Sequence, residues 1–422
     1  MRHCLLLLIT LPWLSIAQVY LFQVDTLHVG DGTVLTPGYL YVSGDTIVAV
    51  DDKPLPNLLP DSTVRLEGHA YPALIAMSTL LGLVEIGAIR ATRDYAEQGR
   101  FNPNVRPIVA YNTDSKIIPT TRSNGILLAQ VRPAGGILAG KTAITYLTGR
   151  TWEEASIVAD HGQYIYWPAR YRRTGWWAEP GTLKENERWE ENVRKLYDFF
   201  AHARSYLESD VPPHRRNPRY EGLRDVILGH QPVYIQADYA VDIASALQFA
   251  DSFDLSMVLV SGRGLAPMLN ELARRNVPVV LQSPHTLPLN RDDAIDAWYA
   301  MPAKLAQHGI PFAIAINDIW DGVWQQRNLP LVAGTAVGYG LDPEAALMAI
   351  TLTPAQILGI DNRFGSLQRG KEATFFVSTG DVLEIATSQV TAAFVRGQRI
   401  PLVDHHKQLY QQYSRIYGLP VQ

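Results

Sequence analysis

The chain has 422 residues, 47% of them hydrophobic and 18% charged, with a formal net charge of −4. That balance is ordinary for a globular protein, and without a basic stripe or polybasic tail it excludes nucleic acid as a partner class. The single cysteine, Cys4, lies near the N-terminus, so a thiol nucleophile, a disulfide framework and a thiolate zinc site are excluded for the rest of the chain.

Residues 1–17 read as a secretory signal. Arg2 supplies the positive start, Cys4 to Trp13 an apolar run, and Ser15-Ile16-Ala17 a small-x-small cleavage pattern, with Gln18 as the expected mature N-terminus. The apolar run is interrupted by Pro12 and is shorter than the ~20 residues needed to span hydrocarbon. An exported protein, periplasmic or extracellular and with no integral membrane segment in the mature chain, is therefore expected.

Residues 18–70 alternate apolar and polar side chains in short runs, Tyr20–Val24, Gly38–Val42 and Thr46–Val50. The corners are Gly30-Asp31-Gly32 and Ser43-Gly44-Asp45, which supply the backbone conformations of tight turns. From 71 to 363 the pattern is strand, helix, strand, helix. Val233–Ile235 precedes Val241–Ala250, Met257–Val260 precedes Leu265–Arg275, Val277–Leu281 precedes Ala294–His308, and Phe312–Ile316 follows. Such alternation predicts an α/β fold with parallel pairing, a TIM-type (β/α)8 barrel at this length. The alternative, a doubly wound open sheet, lacks its Gly-x-Gly-x-x-Gly helix start. Residues 364–402 return to strand character in Glu372–Ser378 and Val390–Val395 and are expected to complete a β-sandwich with residues 18–70. Residues 403–422 read as a polar helical tail, in which His405-His406 carries no function.

Both ends of the chain resemble the amidohydrolase superfamily, imidazolonepropionase-like branch. At the N-terminal end the resemblance is carried by Gly30-Asp31-Gly32, Ser43–Val50 and Tyr71–Ile75. At the C-terminal end it is carried by Thr353–Ile360, Gly365-Ser366-Leu367 and Gly370–Ala373. The resemblance implies a metal-hydrolase barrel flanked by a composite sandwich. It also implies histidine ligands at positions where this chain has none. The first-strand His-x-His pair falls on Ser78 and Leu80, the fifth-strand histidine on Gln236 and the sixth-strand histidine on Ser261. The acid of the eighth strand, a metal ligand and proton acceptor in the family, is present as Asp318. A hydroxyl is a weak zinc ligand and a leucine is none. No cofactor is expected, and zinc or another divalent cation would require an unconventional site.

Other constellations have competing readings. Gly135–Thr142 fits G-x-x-x-x-G-K-[ST], a phosphate-cradling loop, but the following Ala143–Thr148 is β-branched and starts a helix poorly, so a tight loop at the barrel mouth is expected. Asp238, His285 and Asp318 each follow an apolar run. Strand ends carry function in this barrel, so together they could hold a cation or act as acid and base without one. Glu85, Arg90, Arg93, Asp94 and Arg122 form a charged group expected near the mouth, where Arg122 could clamp a ligand carboxylate or the arginines could fix loops. The aromatic segment 163–177 offers an oligomer or ligand surface, and the stretch Leu183–Leu207 is a predicted helix with Trp189, Val193, Leu196, Tyr197 and Phe200 on one face.

Three functions follow. The first is an exported amidohydrolase homologue without the metal-binding histidines, catalytically impaired or binding a small-molecule ligand. The second is an active hydrolase of non-peptide, cyclic amide C–N bonds that uses Asp318. The third is a structural or assembly subunit.

Overall fold

The computed structural model describes residues 18–176, 178–209, 212–286, 288, 293–317 and 320–420. The signal assigned to residues 1–17 lies outside them, and so do Trp177 and Asp318. Among the described residues no helix is long and apolar enough to cross a membrane.

The chain begins with β1 (Val19–His28), β2 (Val34–Leu35), β3 (Gly38–Ser43), β4 (Thr46–Asp51) and β5 (Ser62–Pro72). β1 pairs antiparallel with β3 and parallel with β5, and β3 pairs with β4 across the Gly44 turn. After Ala73 the chain leaves this sheet and enters the barrel.

Eight strands form the barrel sheet. They are β6 (Leu74–Thr79), β7 (Ile126–Val131), β8 (Leu138–Tyr146), β9 (Ser156–Tyr166), then, beyond the separate hairpin β10 (Tyr171–Gly175) and β11 (Pro180–Glu185), β12 (Val233–Gln236), β13 (Met257–Ser261), β14 (Val279–Gln282) and β15 (Phe312–Ala315). The edges meet through the backbone of two residues. Ile314 N–H donates to Ala349 O and Ile75 N–H to Ile350 O, both at 2.9 Å, which closes the barrel. The expected TIM-type barrel is thus present, with one departure from uniform parallel pairing. β8 runs antiparallel to both β7 and β9. The link between β7 and β8, residues 132–137, is too short for a parallel crossover, which takes a dozen residues or more. The Gly135–Thr142 motif therefore opens a strand rather than a phosphate-binding helix.

Helices cover the barrel. α1 (Ile117–Arg122) precedes β7, α2 (Trp152–Ala155) precedes β9, and α3 (Trp189–Glu208), α4 (Pro218–Gly222) and α5 (Arg224–Ile227) precede β12. α6 (Ala240–Phe253), α7 (Leu269–Arg275) and α8 (Met301–Gln307) alternate with the later strands. α9 (Leu329–Gly338), α10 (Pro343–Met348) and α11 (Leu352–Ile357) follow β15. The helix expected from Leu183 starts only at Trp189, because residues 180–185 pair with β10 as a hairpin. Its Leu196 and Phe200 are buried, and Phe200 packs edge-on against Phe249 of α6.

The chain then returns to the first sheet as β16 (Phe375–Ser378), β17 (Val390–Val395) and β18 (Gln398–Ile400), giving the order β18-β17-β16-β5-β1-β3-β4. This sheet folds over its own small core, in which Phe22, Phe375 and Phe394 lie with ring centroids 4.6–5.2 Å apart. A Cβ at Gly397 would crowd the Gly44 carbonyl, so glycine lets the β17–β18 turn close against the β3–β4 turn. α12 (His405–Tyr417) ends the described chain, with Asp404 capping its N-terminus by accepting from Lys407 N–H.

Candidate functional site

The mouth of the barrel lies at the C-terminal ends of its parallel strands, where sites form in this architecture. β6 ends irregularly there. Its pairing with β7 shifts between Ala76 and Thr79, and Ser78 adopts φ +55°, a conformation that non-glycine residues seldom take. The bulge breaks the two-residue alternation of the strand. Ser78 and Leu80 therefore do not form a regular same-face pair, although both are buried.

Ser78 is held from three sides. Its N–H donates to Gln130 Oε1 at 3.2 Å, and its Oγ lies 2.9 Å from the Tyr164 hydroxyl. Arg132 Nε donates to both Ser78 O and Ser78 Oγ at 3.0 Å. Tyr164 donates onward to Gln236 Oε1 at 2.9 Å, and Arg132 Nη1 donates to the Tyr166 hydroxyl at 2.6 Å. The Arg132 guanidinium sits 5.1 Å from the Tyr164 ring centre and 5.8 Å from that of Tyr166. Its side chain is wholly buried. Two of the positions matched to metal ligands, Ser78 and Gln236, thus belong to one polar network centred on a buried arginine.

The remaining sites are more dispersed. Ser261 is buried, and its Oγ donates to Arg263 O at 2.9 Å. Asp238 accepts from Gly262 N–H at 3.1 Å. Burial raises its pKa above the ordinary carboxylate value, partly opposed by that hydrogen bond and then by Arg263. Arg263 in turn donates to Thr286 Oγ1, beside His285. His285 stacks on Tyr299 at 5.3 Å, and partial burial lowers its pKa. Asp238 is not among the described residues lining the cavity that His285 lines. Asp318 lies outside the described residues. No group of three or more His, Cys, Asp or Glu among the described residues is placed to hold a metal ion.

His285 does line a cavity of about 700 Å³ between the ends of β14 and β15, α9 and the segment 383–385. Its polar wall comprises Ser283, Asn317, Gln325, Asn328 and Thr335, and its apolar wall includes Ile316, Leu331 and Val332. Ser283, at φ +47°, fixes this rim. Its N–H donates to Ala315 O and its Oγ accepts from Asn317 N–H, both at 2.8 Å. A side-chain Cβ at Gly334 of α9 would overlap the Leu383 carbonyl, so glycine lets the 383–385 segment form the far wall.

Arg122 is not with the mouth group. Its Nη1 donates at 3.1 Å to Leu147 O, and Leu147 N–H donates to Leu127 O near the start of β7, which puts Arg122 on the outer flank of the barrel. Glu85 instead accepts from Lys116 N–H and Asn112 Nδ2 and ties loops together. In the aromatic segment, Tyr164 and Trp167 are buried, Tyr166 and Tyr171 are half-buried and Trp176 is exposed. Arg132, Tyr164 and Tyr166 are the site residues that sequence reasoning missed. Arg132 follows the apolar run of β7 directly, the same strand-end signal that selects Asp238.

The amidohydrolase family model matches residues 256–400. Over 83 residues the chain is 39% identical to an imidazolonepropionase of Syntrophobacter fumaroxidans, a segment covering 19% of this chain and 19% of that relative. An amidohydrolase from Thermotoga maritima superposes with a TM-score of 0.76 at 20% identity, over 90% of this chain and 99% of that one. The ochratoxinase of A. niger superposes with a TM-score of 0.54 at 14% identity, over 91% and 95%. At such identities these structures speak for the fold alone. Residues 256–400 match the amidohydrolase family, and the described fold as a whole is like that of amidohydrolase structures.

Proposed function

We propose that this protein is an exported amidohydrolase homologue that binds a small uncharged ligand and does not use a binuclear metal centre. The observation that carries the reading is Arg132. The positions matched to histidine ligands hold two hydroxyls, one amide and one aliphatic side chain, a poor donor set for zinc. Among them a guanidinium donates to Ser78 at 3.0 Å. At about 4 Å and an effective dielectric near 20, two like unit charges repel by ~4 kcal/mol, and a divalent ion doubles that. The residues present do not fit the metal centre. Export rests on the pattern of residues 1–17.

The 700 Å³ cavity supports the ligand class. Asn317, Gln325 and Asn328 offer amide donors and acceptors beside an apolar wall, the usual make-up of a small-molecule pocket. His285 is shifted toward its neutral form, and Glu384 is the one acid among the described lining residues. Planar ring amides match this set.

The test is zinc analysis of the purified protein together with calorimetric titration of hydantoin and dihydrouracil, with chromatography to detect ring opening. Substoichiometric zinc and binding without turnover are expected. Asn328→Ala should weaken binding about tenfold, the loss of one hydrogen bond. One or two zinc ions per chain, with ring opening that Asp318→Asn abolishes, would overturn the proposal in favour of an active hydrolase.

A further inference from the structure

We propose that the outer flank of the barrel, beneath α1, carries a second site that binds a small oxyanion on the free edge of Arg122. A cavity of about 230 Å³ lies there, lined by Arg122, Lys116, Tyr111, Thr113, Thr148 and Asp114. Among the described residues Arg122 donates only from Nη1, to Leu147 O. Its Nε is buried without an acceptor, and among the described residues no carboxylate lies within ion-pair distance of it. Burial of an unpaired cation is costly, and here it pulls the guanidinium pKa below its ordinary value. The Tyr111 hydroxyl is buried beside that of Thr145, and burial keeps it protonated. Gly82 makes room for that ring, since a Cβ there would overlap it.

These are the parts of an anion site. The Nε–Nη2 edge presents two parallel N–H groups, which match two oxygens of a carboxylate or phosphate. The Tyr111 ring, its hydroxyl beside Thr145, lines the same cavity. Lys116 adds a second positive charge and Asp114 the one opposing charge on the lining. At roughly 30 Å³ per water, the space equals about eight waters, enough for an anion of a few heavy atoms and too small for a nucleotide. None of the described residues lining this cavity lines the larger one.

The experiment is thermal unfolding of the mature full-length chain, titrated with sodium malonate and with sodium phosphate, each against sodium chloride at matched ionic strength. A saturable rise in Tm above the chloride control is expected for at least one oxyanion, and the stronger arm identifies carboxylate or phosphate as the preferred group. Arg122→Gln should abolish the rise. Arg122→Lys, which keeps the charge and loses the two-pronged edge, should weaken binding about tenfold. Lys116 is exposed, so Lys116→Gln keeps the test available if Arg122→Gln fails to fold, and it should weaken binding about threefold. No rise above chloride for either anion overturns the proposal, as does a rise that Arg122→Gln retains. If Arg122→Gln does not fold, a rise unchanged in both Arg122→Lys and Lys116→Gln overturns it.

Discussion

Asp242, near the start of α6, illustrates how burial and hydrogen bonding compete at one carboxylate. Its Oδ1 accepts from Arg170 N–H and Trp189 Nε1, both at 3.1 Å. Removal from water outweighs those bonds, Asp238 adds repulsion, and the pKa rises to about 6. Between the unfolded value near 3.8 and this one, the folded protein keeps a proton that the unfolded chain has released. Stability from this group is therefore highest below pH 4 and falls as pH rises to 6. Asp242→Asn keeps an oxygen acceptor and removes the charge. Its Tm should exceed that of the wild type at pH 7 and converge with it near pH 4, as followed by circular dichroism. A constant difference across that range would contradict the assignment. Arg132 is the other decisive residue at this scale. Ser78 and Gln236 are remote from it in sequence, and only the guanidinium and the Tyr164 hydroxyl make them one site.

At the scale of elements, the cavity depends on how closely the β16–β17 connection approaches α9. Gly334 and Gly338 separate packing from propensity. A methyl at Gly334 must displace the Leu383 backbone, whereas one at Gly338 meets nothing within 4 Å. Gly334→Ala should cost about 2 kcal/mol in chemical denaturation and weaken ligand binding by moving a wall. Gly338→Ala should be neutral or stabilising by up to ~1 kcal/mol and leave binding unchanged. Equal effects would show that the 383–385 contact does not shape the cavity. The antiparallel β8 and the bulged end of β6 belong to the same scale. Both follow from short connections and pairing register rather than from the apolar pattern of the strand itself.

Across the whole molecule, barrel and terminal sheet are joined by more than the continuous chain from β5 to β6. Buried Glu372 accepts from the Tyr146 hydroxyl of β8 at 2.7 Å, from Arg363 Nη2 at 2.7 Å and from Thr374 Oγ1 at 2.7 Å. Burial pushes the Tyr146 pKa up to about 12, so it remains a donor throughout the physiological range. Glu372→Ala leaves three donors facing a void and should cost about 3 kcal/mol, with barrel and sheet still unfolding in one transition. Two resolved calorimetric transitions in the wild type would refute that coupling. The amino-acid sequence by itself determined the alternation that makes a barrel and the return of residues 364–402 to strand character. It also determined the absence of histidine at 78, 80, 236 and 261, because these are local patterns and identities. The structure alone decided that Arg132 enters the mouth, that Tyr164 and Tyr166 face inward beside it, and that Arg122 lies on the flank. The physical reason is that a side chain at a strand end takes its direction from bulges, positive φ values and register with strands far away in the chain. None of these is written in the spacing of neighbouring residues.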